Sequence, residues 1–255
     1  MKRLKKITAG RLVRSVVYTV PRRTDQPAAR AARQRISSAA QARLNIRTSR
    51  DKLEMLLACN FGDGDLWVTL TYDDTHLPPN REAARKILQK FFRQLRAIRK
   101  KRGQAVAYVY CTQQVLDDGS QRLHHHLILN ATGKEDYDDI RSLWTAGLNI
   151  KIDRLHGDDD ITDKASYMCH EPIDHGKPKV GEQMWTPSRG LRRPEVETMD
   201  VPDDITLQAP AGATTVENDS LRNEYGDFAF IKYWLPRDRA YQPIRGPEFN
   251  PRGRY

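Results

Sequence analysis

The chain has 255 residues, 43 Lys and Arg against 33 Asp and Glu, a net charge of +10, and a hydrophobic fraction of 38%, which suits one large domain with appendages. It carries no apolar run of membrane-spanning length, and Arg11 and Arg14 interrupt the only apolar stretch that a secretory signal would need, so a cytoplasmic protein is expected. Cys59, Cys111 and Cys169 form no Cys-x-x-Cys pair, which argues against a disulfide framework and a zinc knuckle.

The charge is unevenly placed. Residues 1–60 hold 15 Lys and Arg against 3 acids, a balance of +12, which leaves the remainder near −2. A concentrated basic segment is the electrostatic signature of a polyanion partner, above all nucleic acid, although a solvated tail has the same composition.

In chain order, Val16 to Val20 is a short β-like run in the basic N-terminus. Pro27 to Leu57 is rich in Ala, Arg and Gln, lacks glycine, and reads as one or two basic helices. The turn Gly62 to Asp65 opens a strand, Leu66 to Tyr72, in which Trp67, Thr69 and Thr71 alternate with Val68, Leu70 and Tyr72. Arg81 to Arg102 is the clearest helix: Ala84, Leu88, Phe91, Leu95 and Ile98 follow the 3.6 period, and Gly103 sits at the stop. Ten Lys or Arg residues cover the rest of that helix against the single Glu82, either as a solvated face or as a phosphate-contacting wall.

Ala105 to Gln114 and Gln121 to Asn130 read as a hairpin turned at Asp117 to Ser120. A short helix at Glu135 to Trp144, a strand at Leu148 to Asp153, and a helix from an N-cap at Thr162 to Glu171 follow. Residues 172–222 are rich in Pro, Gly and charge and read as a long loop. Phe228 to Trp234 reads as a last strand at a sheet edge, and residues 236–255 as a flexible tail. The order of elements predicts an α+β fold, with helices packed mainly on one side of an antiparallel sheet.

The chemistry concentrates in His124-His125-His126. On a strand, His124, His126 and Ile128 share one face, while His125, Leu127 and Leu129 share the other. Two imidazoles two residues apart on one face form a chelating pair for a divalent cation; the competing reading is a buried structural pair. Hairpin pairing brings Gln113 across from the histidines, and Lys164 and His170 stand at i−3 and i+3 of Tyr167 on a helix.

Trp67 to Tyr72, the His124–His126 triplet and Tyr167 on its helix stand in an order that resembles the three motifs of the HUH endonucleases. The branch most resembled is the single-tyrosine rolling-circle replication initiators (Rep proteins) of bacterial plasmids and filamentous phages. The resemblance implies a ferredoxin/RRM-like antiparallel sheet of about five strands, with the HUH domain at 61–235 and a basic, partly helical extension at 1–60. It implies that His124, His126 and Gln113 hold Mg²⁺ or Mn²⁺, and that Tyr167 is the nucleophile, helped by Lys164 or His170 as phosphate-contacting cation. The activity implied is metal-assisted nicking of single-stranded or hairpin origin DNA, leaving a 5′-phosphotyrosyl protein and a free 3′-hydroxyl, with host helicase and polymerase as partners.

Two positions depart from the family pattern. Gln113 stands where a Glu is usual, and His170 where a Lys is usual. Those departures favour the alternative of a basic nucleic-acid-binding module with a decayed site, for which Tyr108 and Tyr110 are candidate stacking residues. A transposase or mobilisation relaxase of the same superfamily is the other alternative. A histidine-triad hydrolase fails, because Ile occupies position 128.

Overall fold

A computed structural model describes residues 1–20, 38–115, 121–170, 183–223 and 226–237. The chain divides into two compact units, one built from Met1–Leu44 and Arg192–Pro243, the other around Asn45–Leu191. The class is α+β, with two five-stranded antiparallel sheets and four helices among the described residues. No described helix is long and apolar enough to cross a membrane.

The unit around Asn45–Leu191 holds β3 (Leu66–Thr71), β4 (Tyr108–Val115), β5 (Gln121–Leu129), β6 (Ile150–Arg154) and the two-residue β7 (Thr186–Pro187), in the order β6-β3-β5-β4-β7. Its helices are α1 (Ser38–Asn60, which begins in the other unit), α2 (Arg81–Lys101), α3 (Asp136–Leu143) and α4 (Gly157–Met168). Strand alternation separates the two faces of the sheet. Leu66, Val68, Leu70, Leu127 and Leu129 turn to one face, where they are buried with Leu88, Phe91, Phe92 and Leu95 of α2 and Ile140 of α3. Tyr108 and Tyr110 turn the same way: Tyr108 stacks on Phe92 at 3.6 Å, and its hydroxyl accepts from Arg96 at 2.6 Å. These rings are core, so they offer no open stacking surface.

Helix α2 is set at both ends by its own residues. The Asn80 side chain accepts the Ala83 N–H at 2.9 Å, and Gly103 at φ 70° lets the Gly103 and Gln104 N–H groups reach the Lys100 and Arg99 carbonyls. Helix α4 starts five residues before the expected N-cap at Thr162. Asp158, Asp159 and Asp160 form its first turn, where acidic side chains suit the positive end of the helix dipole. The loop after α3 is held by Gly147, where an added Cβ would stand 2.4 Å from the Thr71 carbonyl oxygen at the end of β3. Gly147→Ala is therefore expected to destabilise the protein by about 1–3 kcal/mol, read as a lower urea midpoint at unchanged slope.

The helical part expected of residues 1–60 is α1, whereas residues 2–19 form strands in the sheet of the other unit. Its sheet, in the order β8-β1-β2-β10-β9, consists of β1 (Lys2–Ala9), β2 (Leu12–Thr19), β8 (Glu195–Val201), β9 (Thr214–Asn223) and β10 (Gly226–Trp234). Strands β8 and β9 lie in the stretch read as loop. Every residue of β8 before Val201 is exposed, so the strand has no apolar alternation to betray it. Charge matches it to β1 instead: Lys6 pairs with Glu197 in register, and Arg3 meets Asp200 at 2.8 Å. β10 is the expected last strand, but it lies between β2 and β9 rather than at an edge. The Asp117–Ser120 turn, residues 21–37, residues 171–182 and most of the tail lie outside the described residues.

Candidate active site

The face of β3-β5-β4 that turns away from α2 carries the histidine pair. Thr69 and Cys111 flank His126 in register, and Thr71 and Gln113 flank His124, with a register shift just beyond Gln113. His125 points the other way, into the core, between the Tyr72 hydroxyl at 2.6 Å and the Thr112 hydroxyl at 2.8 Å. The triplet therefore splits as alternation requires. One ring is structural and two face α4.

The two rings that face α4 are 4.8 Å apart and nearly perpendicular. His124 Nδ1 lies 2.9 Å from the Arg122 carbonyl oxygen, an acceptor only, so Nδ1 carries a proton and any lone pair of the ring lies at Nε2. His126 Nδ1 lies 3.1 Å from the Thr69 hydroxyl, while its Nε2 is buried with no hydrogen-bond partner. Burial above all, then the neighbouring His124, His125 and Lys164, push the His126 pKa down to about 3. The ring is neutral at physiological pH. A buried, neutral imidazole with an orphaned nitrogen is the form that ligates a metal ion.

Helix α4 lies against this face. The Tyr167 ring meets His126 edge-on at 4.9 Å and Trp67 at 5.9 Å. Trp67 stacks flat on His126 at 5.1 Å, and the Lys164 ammonium sits 5.2 Å from the Trp67 ring centre. Gln113 donates its side-chain N–H to the Tyr167 carbonyl at 3.1 Å, tying the helix end to β4. His124, His126, Gln113, Tyr167 and Lys164 are thus gathered on one side of the sheet. Tyr167 keeps 37% of its surface exposed at this point.

His170 is placed differently from the helical i+3 position expected for it. Helix α4 stops at Met168, and His170 lies in the turn beyond, its backbone N–H on the Tyr167 carbonyl at 3.1 Å. Among the described residues, no three His, Cys, Asp or Glu side chains come together to hold a metal ion. Beside the histidines, the Gln113 amide oxygen is a hard neutral donor that could complete a set of three. The donor set fits a divalent cation in its two imidazoles and its orphaned Nε2, with the Gln113 oxygen as its one hard donor, and lacks the charge of a carboxylate.

The roles of Trp67 and Thr69 were not visible in the sequence. Alternation put both on one face of β3, but only the pairing of Thr69 with His126 gives them a ring to pack and orient.

The ten cations of α2 and its C-cap residue Arg102 are not all available to phosphate. Arg99 is fully buried against Asp136, Arg102 pairs with Asp139, Arg81 serves the Thr112 carbonyl, and Arg96 serves Tyr108. Arg85, Lys86, Lys90, Arg93, Lys100 and Lys101 remain exposed, on a helix that packs on the opposite face of the sheet from Tyr167.

Residues 65–171 match the replication-associated protein family of the ORF2 type, a family of rolling-circle replication initiators. No curated protein and no solved structure matches the chain. The replication-associated segment begins one residue before β3 and spans α2 through α4, so it holds all the gathered site residues. All five strands of the second sheet lie outside it.

Proposed function

We propose that the protein initiates rolling-circle replication by nicking single-stranded or hairpin origin DNA through attack of the Tyr167 hydroxyl. The observation that carries the reading is the juxtaposition of a half-exposed Tyr167 with a buried, unpartnered His126 Nε2, 4.9 Å between ring centres, inside the replication-associated segment.

In the step proposed, the tyrosine oxygen forms a bond to phosphorus as the bond to the 3′ oxygen breaks. The phenol proton passes to solvent and the leaving oxygen takes one up, giving a 5′-phosphotyrosyl protein and a 3′-hydroxyl for host polymerase and helicase to use. One phosphodiester replaces another, so the nick can be rejoined. The Nε2 atoms of His124 and His126 and the Gln113 amide oxygen would hold Mg²⁺ or Mn²⁺, which supplies Lewis-acid stabilisation of the charge developing on the phosphoryl oxygens. Lys164 brings a positive charge to the same side of α4 as Tyr167, and His170 offers a second phosphate contact when protonated. Thr69 orients His126, and Gln113 fixes the backbone that carries the nucleophile.

The deciding experiment incubates the protein with a single-stranded DNA library, with Mg²⁺ or Mn²⁺ and with chelator, and resolves products on a denaturing gel. A metal-dependent protein–DNA adduct is expected. Tight binding with no adduct under any metal would hand the case to a decayed binding module. Thr69→Val is expected to weaken Mn²⁺ binding roughly 10- to 100-fold, read by titration without DNA. DNA affinity should also fall steeply with salt, by about 0.7 in log–log slope per single-strand phosphate contact, and a flat profile would count against the basic surfaces as phosphate contacts.

A further inference from the structure

The sheet outside the replication-associated segment has one face whose composition is unlike that of a solvated surface. On its three middle strands β1, β2 and β10, the side chains of this face are those in register with Tyr18 and Val16. Four are cations (Arg3, Lys5, Arg14, Lys232) and four are aromatic (Tyr18, Phe228, Phe230, Trp234), and none is acidic. Acids on this face stand only on the outer strands, as Asp200 on β8 and Glu217 and Asp219 on β9.

One end of the face is closed: Lys232 is buried against Glu217, and Trp234 is buried beside it. The other end is open. Tyr18 and Phe228 are register partners there, side by side on adjacent strands, with Phe228 39% exposed and Leu221 beyond it 59% exposed. Arg3 lies across from Tyr18 on β1, and Lys5 follows two residues on. Phe230, 6.1 Å from Phe228, is covered by the Arg14 guanidinium at 5.1 Å, so ring–cation stacking is already in use on this face.

We propose that this face binds single-stranded DNA, stacking bases on Tyr18 and Phe228 while Lys5, and Arg3 from its exposed pair with Asp200, meet the backbone phosphates. Aromatic rings on middle strands, interleaved with cations and free of acids, recognise any base through its π-face and the backbone through its charge. A protein partner would be served equally by the rings but has no need of a middle surface without acids. The choice of DNA rests on the proposed function above; the stacking surface itself is independent of the nicking chemistry.

The test uses the full chain in chelator, so that no strand is cut, and an oligothymidylate of about 20 nucleotides. Tyr18→Ala with Phe228→Ala is expected to lose at least about tenfold in affinity, whereas Tyr18→Phe, which keeps the ring, stays near wild type. Photocrosslinking of the wild type to 5-bromodeoxyuridine-substituted strand should label peptides of β2 and β10, a readout that holds even where the double variant folds poorly. The double variant should still form the metal-dependent adduct at saturating DNA. Unchanged affinity, crosslinks confined to residues 45–191, or a clear preference for oligouridylate would each overturn the proposal. So would a wild-type dimer that the double variant converts to monomer. Absence of any adduct in the wild type would sink the nicking reading and leave the crosslinking result standing.

Discussion

Tyr167→Phe is expected to abolish the covalent protein–DNA adduct, a loss of roughly a thousandfold or more in nicking, with folding and DNA binding kept. The substitution removes one oxygen and keeps the ring, so the edge contacts with His126 and Trp67 survive. The measurement is adduct formation on a denaturing gel beside a melting curve and a binding isotherm. His126→Ala should also lose the adduct, but by a different route, since it removes the orphaned Nε2 and should abolish Mn²⁺ binding in the absence of DNA. An adduct that persists in Tyr167→Phe would move the nucleophile to another tyrosine. Loss of the adduct together with loss of the melting transition would convict the fold instead, which is why the melt accompanies the gel.

Arg99→Ala should cost about 3–5 kcal/mol, the largest stability effect expected in the protein. Arg99 and Asp136 are 0% and 1% exposed, with 2.9 Å between Nη2 and the carboxylate. The same guanidinium also reaches the Asn130 carbonyl and side chain, which join α2 to the strand leaving the histidines. Removing it leaves a buried carboxylate without its cation. Burial by itself raises the Asp136 pKa, but the hydrogen bonds from the Thr132 hydroxyl and the Thr132 and Gly133 N–H groups, with Arg99, bring it below the ordinary 3.8. A lowered folded-state pKa means stability that is present above the unfolded value and lost as pH falls through the folded one. The wild type should therefore lose stability below about pH 4, and Asp136→Asn should flatten that acid limb at a lower plateau. Urea midpoints between about pH 2 and pH 7 read both effects. A pH-independent difference between wild type and Asp136→Asn would show that the carboxylate is not the group responsible.

What could be read from the sequence follows from where local pattern and tertiary demand agree. Helix α2 was legible because its apolar period and its Gly103 stop act within one stretch of chain. The split of His124, His125 and His126 between two faces was legible too, because strand alternation is a property of the backbone alone. Helix α4 was misplaced at its start, since Thr162 looks like an N-cap by residue type while the acidic run before it suits a helix N-terminus equally well. Strands β8 and β9 were missed for a different reason. An exposed edge strand buries no face, so it needs no alternation, and its pairing is decided by partners such as Arg3 that lie far away along the chain.

The sequence by itself determined the α+β class, the placement of the histidine pair on one face of a strand, and the match of residues 65–171 to a replication-associated family, because each rests on order and spacing along the chain. Only the tertiary structure decided that the N-terminal basic run forms a β-hairpin in a second sheet rather than an extension, that α2 spends Arg81, Arg96, Arg99 and Arg102 on its own fold, and that Thr69 and Trp67 frame His126. The physical reason is the same in each case. Charge and polarity along a chain say that a side chain needs a partner, and only the pairing of distant strands and helices says whether that partner is water, a substrate or the protein itself.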